Sequence, residues 1–185
     1  MGIPGRPRAL FYYPKMSLAR SHRYLESSAD ISSCGLFRYS LSRLWDGIKP
    51  AVCWIMLNPS TADGLSDDNT IRRCVNYSRS WGYGGLTVVN LFGYRSSSPK
   101  VMKSARDPVG PQNNDSIVQG ATHLPLVVAA WGRYGGYKGR DLEVIQLVRE
   151  KCRRDLFYLE LTQDFKFPKH PLYLRKDLQP KLWYY

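Results

Sequence analysis

Asn58, Asn90 and His170 each stand where an apolar run gives way to polar residues: WIMLNPSTAD (54–63), LTVVNLFGYRS (86–96) and FPKHPLYLRK (167–176). An amide orients a water but takes up no proton near neutral pH, so Asn58 suits a reaction that needs little base strength. Hydrolysis of an N-glycosidic bond is such a reaction. Its transition state resembles an oxocarbenium ion, in which the base departs early and the water attacks late. Asn90 carries a donor and an acceptor on one group and can pair with the edge of a base. A neutral His170 can donate a hydrogen bond to a carbonyl of the departing base; a charged one would offset its negative charge. Each residue also has a plainer reading. Asn-Pro after a strand is a turn signal, an Asn can serve local backbone groups, and a surface His before Pro needs no special role.

Other residue types fit around these three. Pro59 and Ser60 follow Asn58 directly. Asp67 and Asp68 form an acidic pair in a basic chain; one can cap a helix, and either can accept from an amine or hydroxyl of a substrate. Leu172, Tyr173 and Leu174 precede Arg175 and Lys176. An apolar wedge beside phosphate-binding cations is how a protein extrudes a base from a duplex. The same pattern also describes a strand-like segment packed on a core with a basic edge.

The elements that must position these groups can be read from periodicity. Residues 1 to about 22 are expected to be an irregular basic arm broken by Pro4, Pro7 and Pro14, and residues 23–185 to form one α/β domain. Leu36–Leu44 and Ala51–Leu57 read as an N-terminal hairpin turning at Asp46-Gly47. Ala51–Leu57 is apolar throughout, as a strand buried on both faces must be. A helix capped by Asp68 or Asn69 follows, with Ile71, Val75 and Trp81 on one side. Further strands are expected at Leu86–Val89, Leu124–Trp131 and Asp155–Glu160, with helices from Gln112 and over Asp141–Lys151. This alternation predicts a three-layer αβα domain around a mostly parallel sheet of four to five strands. Its strand ends would converge on one crevice.

The charge narrows the partners. Lys and Arg number 27 against 15 Asp and Glu, a net +12, which favours nucleic acid or a phosphorylated small molecule. Neither GxGxxG nor a Walker loop is present. The four cysteines lack the short spacing of a metal site, so neither metal nor cofactor is expected. No run is long enough to span a bilayer, and the N-terminus has no signal-length apolar block. A cytoplasmic monomer is the expectation.

Taken together, the three segments resemble the uracil-DNA glycosylase superfamily over about residues 50–176. Asn58-Pro59-Ser60 is similar to the first motif of its mismatch-specific and single-strand-selective branches, Asn-Pro-Gly, whose Asn positions the hydrolytic water. VVNLFGYRSSSP (88–99) resembles the strand and loop that place the base-reading Asn, here Asn90. VVAAWGR (127–133) resembles a later strand ending in Gly. His170-Pro171 is similar to the start of a His-Pro-Ser motif, which would put Leu174 at the intercalating position. Arg175, Lys176 and Arg95 would then bind phosphates. Leu172 stands where Ser is usual, Ser60 replaces Gly, and Tyr94 occupies the place of a cluster-binding cysteine. The polar stretch TADGLSDDNT (61–70) implies a base larger or more polar than uracil, read by Asn90 with Pro59, Ser60, Asp67 and Asp68. The chain also resembles a bacterial and phage domain family described only as of unknown function.

The resemblance implies a monofunctional DNA glycosylase acting on a flipped, damaged or modified base. An enzyme of the same fold on free nucleotides or nucleosides is the alternative. A nucleic-acid-binding module that kept the cleft and lost the reaction is a third reading.

Overall fold

The computed structural model describes residues 23–185; the expected basic arm, 1–22, lies outside the described residues. Seven strands, β1 (Glu26–Ile31), β2 (Arg38–Leu44), β3 (Ala51–Met56), β4 (Gly85–Asn90), β5 (Leu126–Ala129), β6 (Phe157–Tyr158) and β7 (Lys181–Leu182), form one sheet. Its order is β1-β2-β4-β3-β5-β6-β7. The four middle strands run parallel to one another, and the flanking pairings are antiparallel.

The apolar run of β3 follows from its central position. Val52, Trp54 and Met56 enter one buried cluster, and Cys53, Ile55 and Leu57 enter another on the opposite face. Helix α1 (Asn69–Ser80) covers the first face through Ile71, Cys74, Val75 and Tyr77. Asp68 caps it by accepting from Ile71 N at 2.8 Å, which satisfies an otherwise orphan amide of the first turn. A short helix α2 (Pro99–Ser104) leads to α3 (Asn113–His123). Together with α4 (Arg140–Leu147), α3 covers the second face through Ile117, Ala121, Val144 and Ile145. The chain is therefore a mixed α/β protein with helices on both sides of its sheet.

Two expectations are corrected. The sheet has seven strands of mixed direction rather than four or five mostly parallel ones. The additional edge strands carry no periodic signal: β1 is largely exposed and β7 has two residues. The expected hairpin is also absent, because β4 lies between β2 and β3. β2 pairs antiparallel with β1 and β4 instead. The turn at Asp46-Gly47 leans on Gly84, whose carbonyl accepts from Trp45 N and Asp46 N at 2.8 and 2.9 Å. A Cβ at Gly84 would lie 2.1 Å from the Asp46 carbonyl oxygen, so only glycine fits there.

The chain leaves β3 through α1 to β4 on one side, then crosses back to β5 on the other. Strand order thus reverses at β3, and the loops after the parallel strands part to leave a crevice at their carboxyl ends. No helix among the described residues is long and apolar enough to cross a membrane.

Candidate active-site cleft

A cleft of about 960 Å³ opens at this edge, and Asn58, Asn90 and His170 all line it. Ser60, Asp68 and Arg175 line it as well. Convergence of residues far apart in sequence follows from the parallel strands, whose ends face one way.

Asn58 follows β3. Its Nδ2 donates to Ser96 O at 2.7 Å and to Pro59 O at 3.1 Å. Ser96 N in turn donates to Pro59 O at 2.8 Å, which staples the loop after β3 to the loop after β4. With both N–H groups engaged by carbonyls, the remaining function of the amide is Oδ1, an acceptor. An acceptor held in this way can orient a water and cannot deprotonate it.

Asn90 ends β4 and is 1 % exposed. Its backbone carbonyl accepts from Asn113 Nδ2 at 2.9 Å. The neighbouring Leu91 carbonyl accepts from Asn113 Nδ2 at 3.0 Å and from Arg140 Nε at 2.8 Å. The strand end is therefore fixed from the α3 and α4 side. Asn90 Nδ2 is buried and has no partner among the described residues. An unpaired buried donor is unfavourable by about 1–3 kcal/mol, a deficit that an acceptor on a ligand would relieve.

His170 sits on a loop anchored from three directions. Gly132 N donates to Pro168 O at 2.7 Å, and Lys169 N donates to Glu160 O at 2.8 Å. From α1, Arg73 donates to the carbonyls of Pro171 and Leu174, and the Tyr77 hydroxyl donates to the Arg175 carbonyl. His170 Nδ1 accepts from Leu172 N at 3.4 Å, which assigns the proton of the neutral ring to Nε2. Burial holds the imidazole below its ordinary pKa, while Asp68 pulls weakly the other way. The ring is thus a neutral donor at neutral pH.

That shift carries a stability consequence. The folded chain takes up this proton less readily than the unfolded chain, so the unfolded state gains protons first as pH falls. Stability should be intact above the ordinary histidine pKa and decline as pH drops through it toward the folded value. Thermal melts between about pH 7.5 and 5 should show a smaller decline for His170→Gln than for wild type. Superimposable pH dependences would contradict this.

The remaining expected site residues divide: Leu174, like Arg175, lines the cleft, while Pro59, Asp67, Arg95 and Lys176 do not. Asp67 does not line the cleft. Its Oδ1 is 2.8 Å from Arg43 Nε and its Oδ2 accepts from the Tyr24 hydroxyl at 2.5 Å, so both oxygens are committed to structure. Burial, then the bond to Asp67, raises the Tyr24 pKa to about 12. Leu174 lines the cleft wall but is 7 % exposed and packs in the α1-side core, so it does not project as a wedge would. Tyr173 beside it is 86 % exposed and lines the cleft, making it the side chain that this loop projects. Pro59 is buried behind Asn58. Arg95 donates to Gly35 O at 3.1 Å away from the cleft wall, Lys176 is exposed beyond it, and Arg175 pairs with Asp177 at 2.6 Å.

Sequence reasoning passed over Arg38, Tyr134 and the Glu160–Lys169 pair, all of which line the cleft. The pair is 3.0 Å apart. WGRYGG placed Tyr134 in a Gly-rich loop after a strand, a usable signal. Arg38 gave none, because nothing in its neighbours distinguishes a buried Arg from an exposed one.

No curated protein and no solved structure matches the chain, and nothing in these comparisons links it to the uracil-DNA glycosylases. A family model described as "Protein of unknown function (DUF1643)" matches residues 38–172. The match runs from β2 to the His170 loop and takes in the ends of all four parallel strands. On that match, covering well over half of its residues, the chain belongs to the DUF1643 family.

Proposed function

We propose that this cleft hydrolyses the N-glycosidic bond of a damaged or modified base extruded from DNA, on a divergent version of the uracil-DNA glycosylase fold. The observation that carries the reading is the shared position of an acceptor-only Asn58, an unpartnered Asn90 donor and a neutral His170 in one cleft. A water held on Asn58 Oδ1 attacks C1′ as the C1′–N bond breaks. The bonding electron pair leaves with the base, which ends protonated, and the sugar gains the hydroxyl. Asn90 reads the base edge, with Ser60 and Asp68 on the wall beside it. His170 Nε2–H donates to a carbonyl of the departing ring.

The basic surface and exposed rim support a nucleic-acid partner. Net charge is +12, and Tyr173 and Tyr134 stand 86 % and 46 % exposed at the cleft. Exposed rings at a cationic cleft are stacking platforms for bases. Tyr173→Ala should weaken single-strand binding by about 1–3 kcal/mol with an unchanged salt slope, whereas Lys176→Ala should lower the slope by about one phosphate contact. Fluorescence anisotropy across a salt series checks both; a Tyr173→Ala protein that binds like wild type would remove the rim from the account.

The direct test is incubation with duplex and single-stranded oligonucleotides carrying a panel of modified bases, followed by alkali. Strand cleavage at one or more bases, lost in Asn58→Ala, is expected. No cleavage on any, under conditions where the protein binds the strands, would count against the reaction and favour a binding module. A second reading has its own support: about 960 Å³ is room for a whole nucleotide. A shallow salt dependence with turnover of a free nucleotide would favour it.

A further inference from the structure

Three buried arginines are among the described residues: Arg38, Arg43 and Arg140. Two have a carboxylate. Arg43 meets Asp67 at 2.8 Å, and Arg140 Nη1 lies 2.6 Å from Glu143 as an ion pair, off the angle of a hydrogen bond. Arg38 differs. It is 2 % exposed, and no described carboxylate lies within ion-pair distance of it. Only its Nη1 is engaged, donating to Ala62 O at 2.5 Å, and its Nε is buried without a partner.

Arg38 also lines the cleft. It begins β2, and β2 pairs with β4, which ends in Asn90. Two adjacent strands thus bring two under-satisfied donors to one cavity, one of them cationic. Burial lowers the Arg38 pKa to about 10, with Asp68 opposing, so the guanidinium remains charged at neutral pH. A buried charge lacking a counterion is strongly unfavourable, and an anion arriving in the cleft would supply one.

We propose that Arg38 is the anion-binding residue of the cleft and takes the negative charge of the departing base, with neutral His170 as a hydrogen-bond donor only. This rests on the glycosylase reading. As the C1′–N bond breaks, its electron pair moves into the base and spreads onto ring carbonyl oxygens. A permanently charged guanidinium stabilises that charge more than a neutral imidazole does. The substrate class is therefore a base whose carbonyl is conjugated with its glycosidic nitrogen, rather than one bearing only amino groups.

The test uses the full chain and free bases. 5-Nitrouracil is an anion at neutral pH, and uracil is neutral. Calorimetry should show wild type preferring 5-nitrouracil by about tenfold or more, the worth of a charge-assisted hydrogen bond. Arg38→Met should lose the preference and Arg38→Lys should keep part of it, with thermal melts showing both folded. Equal affinities in wild type, or a preference unchanged in a folded Arg38→Met protein, would overturn the assignment. Inorganic phosphate should not displace 5-nitrouracil; displacement would overturn the choice of a base in favour of a phosphate group. In excision assays on 5-substituted uracils, Arg38→Met should slow poor leaving groups more than good ones. A uniform slowing would mark Arg38 as merely structural. Arg38-dependent binding of 5-nitrouracil without excision of any base overturns the glycosylase reading and leaves the anion site. Excision without anion preference overturns the anion site and leaves the reading.

Discussion

Asn58→Ala should lower the single-turnover excision rate by about 10²-fold or more, the scale of loss when a reacting group is misplaced, while binding of the same oligonucleotide changes little. The geometry makes a sharper companion prediction. Aspartate, although a stronger base, should not rescue. Asn58 Nδ2 donates to the carbonyls of Ser96 and Pro59 at 2.7 and 3.1 Å. A carboxylate has no N–H to offer them and would face both carbonyls with negative charge. Asn58→Asp should therefore loosen the staple between the loops after β3 and β4 and fall well below wild type at neutral pH. Rapid-quench excision and a thermal melt decide this. An aspartate variant as active as wild type would show that base strength limits the reaction, contrary to the account.

Asp67→Ala should destabilise the fold by about 3–5 kcal/mol, the usual loss when one member of a buried ion pair is removed and the other is stranded. The side chains of Arg43 and Asp67 are 1 % and 8 % exposed. Arg43 also donates to the backbone oxygens of Ser42 and Asp63, at 2.9 and 2.5 Å, so the pair ties the loop before α1 to β2. Tyr24 adds a bond to the second carboxylate oxygen. Tyr24→Phe should have a smaller effect, about 1 kcal/mol. The double variant Arg43→Met, Asp67→Leu should recover much of the loss, since an apolar pair of similar volume can replace a buried ion pair. Urea titrations give these values. If Asp67→Ala kept full stability and lost only activity, Asp67 would belong to substrate recognition after all.

The two cases show what the sequence makes legible. Asn58 and Asn90 were readable because each ends a continuous apolar run, and such runs are buried parallel strands whose ends share one edge. A helix cap at Asp68 or Asn69 was readable from local chemistry, just before the apolar stripe of α1, and Asp68 supplies it. Asp67, one position earlier, was not. Its partners lie 24 and 43 residues away, and only the β1–β2 pairing brings them to it. Leu174 and Tyr173 make the same point. Both are apolar residues in a short basic loop, and which one turns inward depends on α1, whose Arg73 and Tyr77 hold that loop by backbone carbonyls. The N-terminal hairpin failed for a topological reason. Asp46-Gly47 is a sound turn signal, yet a turn cannot reveal that a strand from residue 85 onward inserts between the strands it joins.

The decisive measurement does not require knowing the base. Two duplexes would be compared by equilibrium binding in saturating 5-nitrouracil, whose anion takes the place of the departed base beside Arg38. One carries a cationic pyrrolidine in place of a single sugar and the other a neutral tetrahydrofuran at that position. The pyrrolidine carries the charge of an oxocarbenium ion, and a catalyst binds a transition-state mimic more tightly than a neutral analogue of the same shape. At least about 10²-fold tighter binding of the cationic duplex by wild type, largely lost in Asn58→Ala, is the predicted result. Equal affinities for the two duplexes would contradict the proposed chemistry, however well the cleft holds DNA.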